Sequence, residues 1–213
     1  MTPDMCRRLR AYLDELALWN ARMNLTTVPR QRWWDKHVVE VLDLLDACAP
    51  AAAARAVDVG AGGGVPGIPM AVLRPDMHVA LLESDARKAG FLTHVAGALR
   101  LDNVEVLDMR AEEAARRGEL RESFDLAASR AVAPPPVMCE LSLPLVRVGG
   151  LVAALVGDAE KAAADCAYAA EMCGGGVPRS APGGVLLVDK LRPTPDEYPR
   201  RAGVPVRRPL RSG

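Results

Sequence analysis

The chain has 213 residues, of which half are hydrophobic and a quarter charged, and its formal net charge at pH 7 is zero. This composition excludes a wholly disordered chain and suits one α/β domain with an addition better than two equal domains. No apolar run reaches the roughly 20 residues of a bilayer span, and the N-terminus lacks a signal-peptide core, so we expect a soluble, cytoplasmic protein. The cysteines are odd in number and form no C-x-x-C pair, which argues against a disulfide framework or a zinc site, and we interpret them as small buried residues: Cys6, Cys48, Cys139, Cys166 and Cys173.

The positive charge is concentrated at both ends of the chain. The basic residues of the two ends are Arg7, Arg8, Arg10, Arg22, Arg30, Arg32, Lys36, Lys190, Arg192, Arg200, Arg201, Arg207, Arg208 and Arg211. If the two ends meet in space, they form a phosphate-facing rim. The alternative, that they are solvated ends that keep the chain soluble, stays open on charge alone.

The first fifty residues predict a helical layer. Thr2-Pro3-Asp4 resembles a helix start, and apolar residues then recur at helical spacing as far as Trp19. Residues 20–29 are predicted to form a non-helical connection between this helix and the next. A second helix is predicted over residues 31–47, with its buried side formed by Trp34, Val38, Val41, Leu42 and Leu45.

From Ala56 onward, short β-branched runs alternate with amphipathic stretches, a pattern typical of βαβ units and a parallel sheet. Strands are predicted over residues 57–59, 79–82, 104–107, 124–128, 151–156 and 185–188. Helices are predicted over residues 85–99, 137–145 and 158–173, and a loop over residues 174–184. The tail from Pro193 is rich in proline and arginine and is predicted to have little to pack with.

Residues 57–69 (Val-Asp-Val-Gly-Ala-Gly-Gly-Gly-Val-Pro-Gly-Ile-Pro) predict a strand, a tight turn and a helix start. Glycines allow a ligand to approach the backbone closely, and the N–H groups of the helix start face that ligand. An NAD fingerprint fails because Val65 stands at the third glycine position. The motif present is D-x-G-x-G-x-G, with Asp58, Gly60, Gly62 and Gly64 as candidate cofactor-binding residues.

Glu83 closes the next predicted strand, where a carboxylate can hold the ribose hydroxyls of S-adenosylmethionine. An acid at this place also binds the ribose of NAD, so Glu83 by itself does not distinguish a site for S-adenosylmethionine from a site for NAD. Two simpler interpretations stay open: the glycines form a tight turn without a ligand, and Asp58 only caps that turn.

These residues also carry a family resemblance. The stretch 58–69 with its Val65-Pro66-Gly67-Ile68-Pro69 extension, together with Trp19-Asn20 and Asn24-Leu25-Thr26, resembles the RsmG (GidB) family. Further matches are Lys36-His37, Leu82-Glu83-Ser84, Arg87-Lys88, Phe91-Leu92, Arg110-Ala111-Glu112, Ser129-Arg130-Ala131 and Tyr198-Pro199-Arg200-Arg201. The resemblance spans nearly the whole chain. It implies methylation of guanine N7 in 16S ribosomal RNA, at the position-527 guanine class of the decoding region.

The resemblance further implies a class I S-adenosylmethionine-dependent methyltransferase fold, an α/β fold with a Rossmann-like, seven-stranded, mostly parallel sheet. We divide the chain into an N-terminal helical segment (1–50), a methyltransferase core (51–192) and a basic tail (193–213). The implied donor contacts are Gly60, Val65, Ala111, Glu112 and Arg130. The implied RNA-facing residues are Lys36, His37, Arg87, Lys88, Arg200 and Arg201. The expected partner is ribosomal RNA or the 30S particle, bound by a monomer without a membrane or metal partner.

Arg130 and His37 are the candidate catalytic residues. Arg130 ends a predicted strand, where α/β proteins bind ligands, and a structural ion pair is the alternative. A single histidine on a helix is usually a packed residue, and only the resemblance indicates that His37 contacts RNA. Trp33 and Trp34 could stack a base, but we interpret them as core residues.

Guanine N7 offers a lone pair, so its methylation needs positioning rather than a general base. This agrees with a sequence in which no acid/base pair stands out. A small-molecule methyltransferase on the same fold is the alternative function. An RNA-associated protein with a vestigial cofactor turn is a further, non-enzymatic one.

Overall fold

The computed structural model describes residues 1–211; the last two residues of the predicted tail lie outside the described residues. The first helix, α1 (Pro3–Met23), starts at a capping box in which Thr2 Oγ1 accepts a hydrogen bond from the Met5 N–H. The predicted break at residue 20 was wrong, since the helix continues to Met23. Asn24 ends it in the left-handed conformation.

The predicted second helix is divided into three parts. A 3-10 turn (Arg30–Arg32) is followed by a π-helical turn (Asp35–Val39) and then by α2 (Glu40–Cys48). The wider π turn shifts the helical phase, so Leu44 is buried where the sequence pattern predicted Leu42. Trp33 is a core residue as predicted, whereas Trp34 is half-buried.

The remaining chain forms one sheet with helices on both faces. Its strands are β1 (Arg55–Val59), β2 (His78–Glu83), β3 (Val104–Asp108), β4 (Phe124–Arg130), β5 (Val146–Leu155), β6 (Arg179–Ala181) and β7 (Val185–Asp189). Its helices are α3 (Gly67–Leu73), α4 (Ala86–Ala98), α5 (Ala111–Ala114), α6 (Pro135–Ser142), α7 (Ala159–Met172) and α8 (Val204–Arg207), with a 3-10 turn at Leu143–Leu145.

The seven strands lie in the order β3-β2-β1-β4-β5-β7-β6, and only the pairings made by β7 are antiparallel. The seven-stranded, mostly parallel sheet is therefore confirmed. Strand β6 was missed because its three residues lie between glycines in a stretch predicted to be a loop. Strand order reverses at β1, which pairs with β2 on one side and β4 on the other. α/β proteins bind ligands at such a switch point, beyond the carboxyl ends of the strands.

The core has two layers, one on each face of the sheet. Along β1, Ala56 packs into the first layer, whereas Val57 and Val59 pack into the second. Helices α1 and α2 belong to the first layer, in which Leu9 and Tyr12 are fully buried. The N-terminal segment therefore shares its core with the sheet. The predicted division of the chain at residues 50 and 192 stays a prediction.

The C-terminal tail is packed, contrary to the prediction that it has little to pack with. Tyr198 is buried, and the Arg121 guanidinium donates hydrogen bonds to the carbonyls of Thr194 (2.8 Å) and Tyr198 (3.0 Å). Lys190, one of the basic residues near the C-terminal end, is 1% exposed and pairs with Glu122, so it serves neither a phosphate-facing rim nor a solvated end. Within residues 1–211, no helix is both long and apolar enough to cross a membrane.

Candidate functional site

A cavity of about 470 Å³ lies at the carboxyl ends of β1 to β4, where the strand order reverses. Its wall is formed mainly by residues 24–28, 59–63, 82–84, 109–112 and 130–133. The predicted site residues that line it are Gly60, Gly62, Val65, Glu83, Ala111, Glu112, Arg130, His37 and Lys88. The fold thus brings together residues from both the predicted donor set and the predicted RNA set.

The glycine turn uses backbone conformations that other residues rarely adopt. Gly60, Gly62 and Gly64 have φ angles of 72°, 53° and 90°. The N–H groups of Gly60 and Ala61 both donate to the Leu82 carbonyl, at 2.9 and 3.0 Å, which ties the turn to the end of β2. A Cβ at Gly60 would overlap with Val132, so the turn and the segment after β4 approach too closely for a side chain.

Asp58 and Gly64, two predicted donor contacts, are not among the residues that line the cavity. Asp58 is fully buried, and its Oδ2 accepts a hydrogen bond from the Gly67 N–H at 2.8 Å. The other oxygen, Oδ1, has no partner within the described chain. Burial is the main cause that raises the Asp58 pKa to about 7. At Gly64, a Cβ would meet Ile68 and Leu92 in the core. Both residues shape the turn rather than the cavity surface.

Glu83 lines the cavity at the end of β2, as predicted, and also supports the turn. Its Oε2 accepts the Gly62 N–H at 2.9 Å, and its Oε1 accepts the Asp85 N–H at 2.8 Å. A carboxylate has about four acceptor positions, so each oxygen keeps one for a ligand. The carboxylate is 7% exposed and is held in one orientation by two backbone groups.

Arg130 connects the end of β4 to the N-terminal layer. Its guanidinium donates to the Lys36 carbonyl and to His37 Nδ1, the latter at 2.8 Å. Both acceptors lie in the π-helical turn, and His37 lines the cavity. Burial lowers the Arg130 pKa, and the nearby Glu40 and Asp58 carboxyl groups act in the opposite direction.

His37 is an internal residue with 1% exposure. Since arginine can only donate, His37 Nδ1 must be the acceptor, and the imidazole is neutral with its proton on Nε2. The Nε2 atom lies 3.5 Å from Thr26 Oγ1. Burial, with Arg130 as the second cause, lowers the His37 pKa to about 4. His37 lines the cavity and orients Arg130, and its predicted contact with RNA stays a prediction.

The predicted RNA-facing cations divide into two groups. Arg200 lies inside an ion pair: its guanidinium donates to both oxygens of Glu140, at 2.8 and 2.6 Å, and Glu140 is fully buried. This pairing corrects the prediction that Arg200 faces phosphate. Arg87 and Arg201 are exposed, Lys88 lines the cavity, and the Lys36 ammonium pairs with Glu40.

Glu112 links the cavity to the tail. Its Oε1 accepts a hydrogen bond from the Gly203 N–H at 2.8 Å, which brings α8 to the rim, where Val206 lines the cavity. Ala111 and Glu112 both line the cavity, and their contact with the donor stays a prediction. Sequence reasoning did not connect the tail to this wall, since no local pattern joins residues 91 positions apart.

Two further contributions were missed. The segment 24–28 lines the cavity, although its Asn24-Leu25-Thr26 motif was noted only as part of the resemblance. Tyr12 was seen only as an apolar position of α1, yet its hydroxyl donates to the Gly63 carbonyl at 2.7 Å. No spacing rule signals such a contact between elements distant in sequence.

Comparison with known proteins agrees with this geometry. Residues 5–185 match the family model described as GidB, rRNA small subunit methyltransferase G. The chain belongs to this family. A relative from Moorella thermoacetica, named ribosomal RNA small subunit methyltransferase G, is 39% identical, and the match covers 99% of this chain and 92% of that protein. A relative of the same name from Chloroflexus aggregans is 36% identical, with 95% and 89% coverage.

Among solved structures, the chain is similar to the T. thermophilus 16S rRNA N2 G1207 methyltransferase (RsmC), a structure in complex with AdoMet and guanosine. The TM-score is 0.50 at 22% identity, and the match covers 73% of this chain and 40% of that one. At this identity the likeness shows the fold alone. It confirms the predicted class I methyltransferase fold.

Proposed function

We propose that this protein transfers a methyl group from S-adenosylmethionine to guanine N7 of 16S ribosomal RNA. The observation that carries the proposal is the cavity at the strand-order switch, whose wall combines the glycine turn, Glu83 and Arg130. The family to which the chain belongs supports the RNA substrate.

The residues present fit this donor. Three left-handed glycines keep side chains away from the turn, and two of them, Gly60 and Gly62, line the cavity. The Glu83 carboxylate keeps free acceptor positions for ribose hydroxyls. This carboxylate would also serve the ribose of NAD, and the family to which the chain belongs favours S-adenosylmethionine. S-adenosylmethionine, when bound, supplies an electrophilic methyl group on a sulfonium.

The chain contributes positioning to the reaction. Guanine N7 attacks with its own lone pair, so no side chain has to remove a proton. Arg130, oriented by the Lys36 carbonyl and His37, lines the cavity and can donate a hydrogen bond to the guanine O6. The neutral state of His37 adds no positive charge near a base that becomes cationic.

The RNA is proposed to approach over the exposed cations around the cavity. Lys88 lines the wall, while Arg87 and Arg201 are exposed on α4 and on the loop before α8. Such residues bind phosphate without reading sequence, so they set affinity and its salt dependence. The choice of the target base is then made by the residues that line the cavity.

The test is incubation with S-adenosylmethionine and either unmethylated 30S subunits or bare 16S RNA, followed by mass mapping of the modified nucleotide. A methyl group on guanine N7 of the decoding region is expected. Arg130→Ala is expected to abolish transfer and Gly62→Val to block donor binding, because a β-branched side chain is strained at φ 53° and faces the donor.

Arg179→Ala is the matched control. Arg179 is an exposed arginine paired with Asp189 at the β6 edge of the sheet, so its loss should leave transfer unchanged. Donor binding without methyl transfer to any RNA would contradict the RNA substrate and favour a small-molecule acceptor. Failure of the wild-type protein to bind the donor in calorimetry would contradict the methyltransferase proposal as a whole.

A further inference from the structure

One peptide group of the glycine turn is held at both of its ends. The peptide that joins Gly63 and Gly64 accepts a hydrogen bond at its carbonyl from the Tyr12 hydroxyl, at 2.7 Å. Its N–H donates to the Ala61 carbonyl at 2.6 Å. The second bond is local to the turn, whereas the first comes from α1, 51 residues earlier.

The residues on either side of this peptide place little steric restraint on it. Glycines stand on both sides of it, and Gly64 is in the left-handed region at φ 90°. A peptide between two glycines can rotate at little steric cost, since no Cβ opposes the rotation. Gly62 and Gly63 line the cavity, so rotation here changes the surface that a ligand meets.

Tyr12 is itself rigidly placed. It is fully buried in the core layer that α1 shares with the sheet, and it lies behind the turn rather than in the cavity. A Cβ on Gly63 would lie 3.2 Å from the Leu25 carbonyl oxygen and 3.3 Å from Leu16 Cδ1, so the helical layer packs directly on the turn. Burial raises the Tyr12 pKa, which keeps the phenol protonated as a donor.

We propose that Tyr12 is a positioning residue for the methyl donor: its hydroxyl holds the Gly63–Gly64 peptide in the one orientation that leaves the turn shaped for the donor. The inference rests on the proposed function, since it assumes that S-adenosylmethionine binds at this turn. It gives the N-terminal helical layer a part in donor binding in addition to its part in the core.

The test is Tyr12→Phe, which removes one oxygen and leaves the ring in place. We expect the dissociation constant for S-adenosylmethionine, measured by calorimetry, to rise about tenfold, because a buried carbonyl loses its partner. The donor KM should rise equally, while kcat at saturating donor and the KM for RNA stay at wild-type values. Hydrogen exchange of the Gly64 amide should become faster. Tyr168→Phe, which changes a partly exposed tyrosine of α7, is the matched control and should change none of these values.

A purely structural role for Tyr12 would lower Tm and leave the donor KM unchanged, and that result would overturn the inference. Absence of donor binding to the wild-type protein would instead contradict the proposed function. If Tyr12→Phe does not fold, wild-type protein with its three tyrosines replaced by 3-fluorotyrosine takes its place. The Tyr12 fluorine resonance should then shift when the donor is added, and an unchanged resonance at saturating donor would equally overturn the inference.

Discussion

Replacing Arg200 distinguishes a structural arginine from an RNA-binding one. The backbone N–H and the guanidinium of Arg200 together donate three hydrogen bonds to Glu140, a carboxylate with no exposed surface. Arg200→Ala removes the two side-chain bonds and the compensating charge. Glu140 then keeps a single backbone bond inside the protein, and an unpaired buried carboxylate is costly.

The expected loss follows from this geometry. Removing one partner of a buried ion pair costs about 3–5 kcal/mol. The Arg200 side chain is 26% exposed, so water can partly solvate Glu140 in the variant, and we expect about 3 kcal/mol, the lower end. For a domain of this size that corresponds to a fall in Tm of about 6–12 °C. Arg201→Ala, one residue later and exposed, should change stability by less than about 0.5 kcal/mol.

Urea unfolding followed by circular dichroism measures the stability of both variants, and RNA binding at several salt concentrations measures their phosphate contacts. Arg201→Ala should reduce the salt slope of RNA binding by about one, whereas Arg200→Ala should leave it unchanged. An Arg200→Ala variant with wild-type stability and a reduced salt slope would refute the ion-pair argument. It would restore the prediction made from the sequence.

Three further predictions concern the site and its support. Gly67→Ala should destabilise the protein by at least about 2 kcal/mol, because the new Cβ would overlap with Leu81 and approach Asp58 Oδ2 at 2.8 Å. Gly90→Ala, at an exposed position of α4 where the new Cβ meets nothing within 4 Å, should instead stabilise the protein by about 0.5–1 kcal/mol. The urea midpoint of each variant measures these changes, and midpoints equal to that of the wild-type protein would contradict both expectations. The Asp58 pKa is raised from 3.8 to about 7 in the folded protein. Its contribution to stability is therefore present below pH 3.8 and is lost as the pH rises through 7. Over this range the free energy of unfolding should fall by at most about 1.4 kcal/mol per pH unit. Asp58→Asn should remove that slope in urea titrations between pH 4 and 7, and a variant with the wild-type slope would show that another group causes it. Arg130→Lys should retain the fold but lose most of the transfer rate, since one ammonium cannot reproduce the guanidinium contacts with the Lys36 carbonyl and His37; full activity in single-turnover assays would show that charge alone suffices.

The sequence by itself determined the sheet and the position of the ligand turn. Alternation of short apolar runs with amphipathic stretches is a local signal, and it located six of the seven strands. The ligand turn was also evident, because four glycines within residues 60–64 favour a tight turn that a ligand can approach closely; the structure shows that Gly60, Gly62 and Gly64 adopt positive φ. Glu83 followed from its place at the end of the second strand.

The tertiary structure decided which polar side chains serve the cavity and which serve the fold. Arg200 and Arg201 are adjacent and chemically identical, but one is paired with buried Glu140 and the other is exposed. His37 became an internal support of Arg130, and Tyr12 a support of Gly63. The partners in these three contacts lie 60, 93 and 51 residues apart. Periodicity and motif spacing report only neighbours along the chain, so the role of such a side chain is decided by the packing that brings its distant partner within reach.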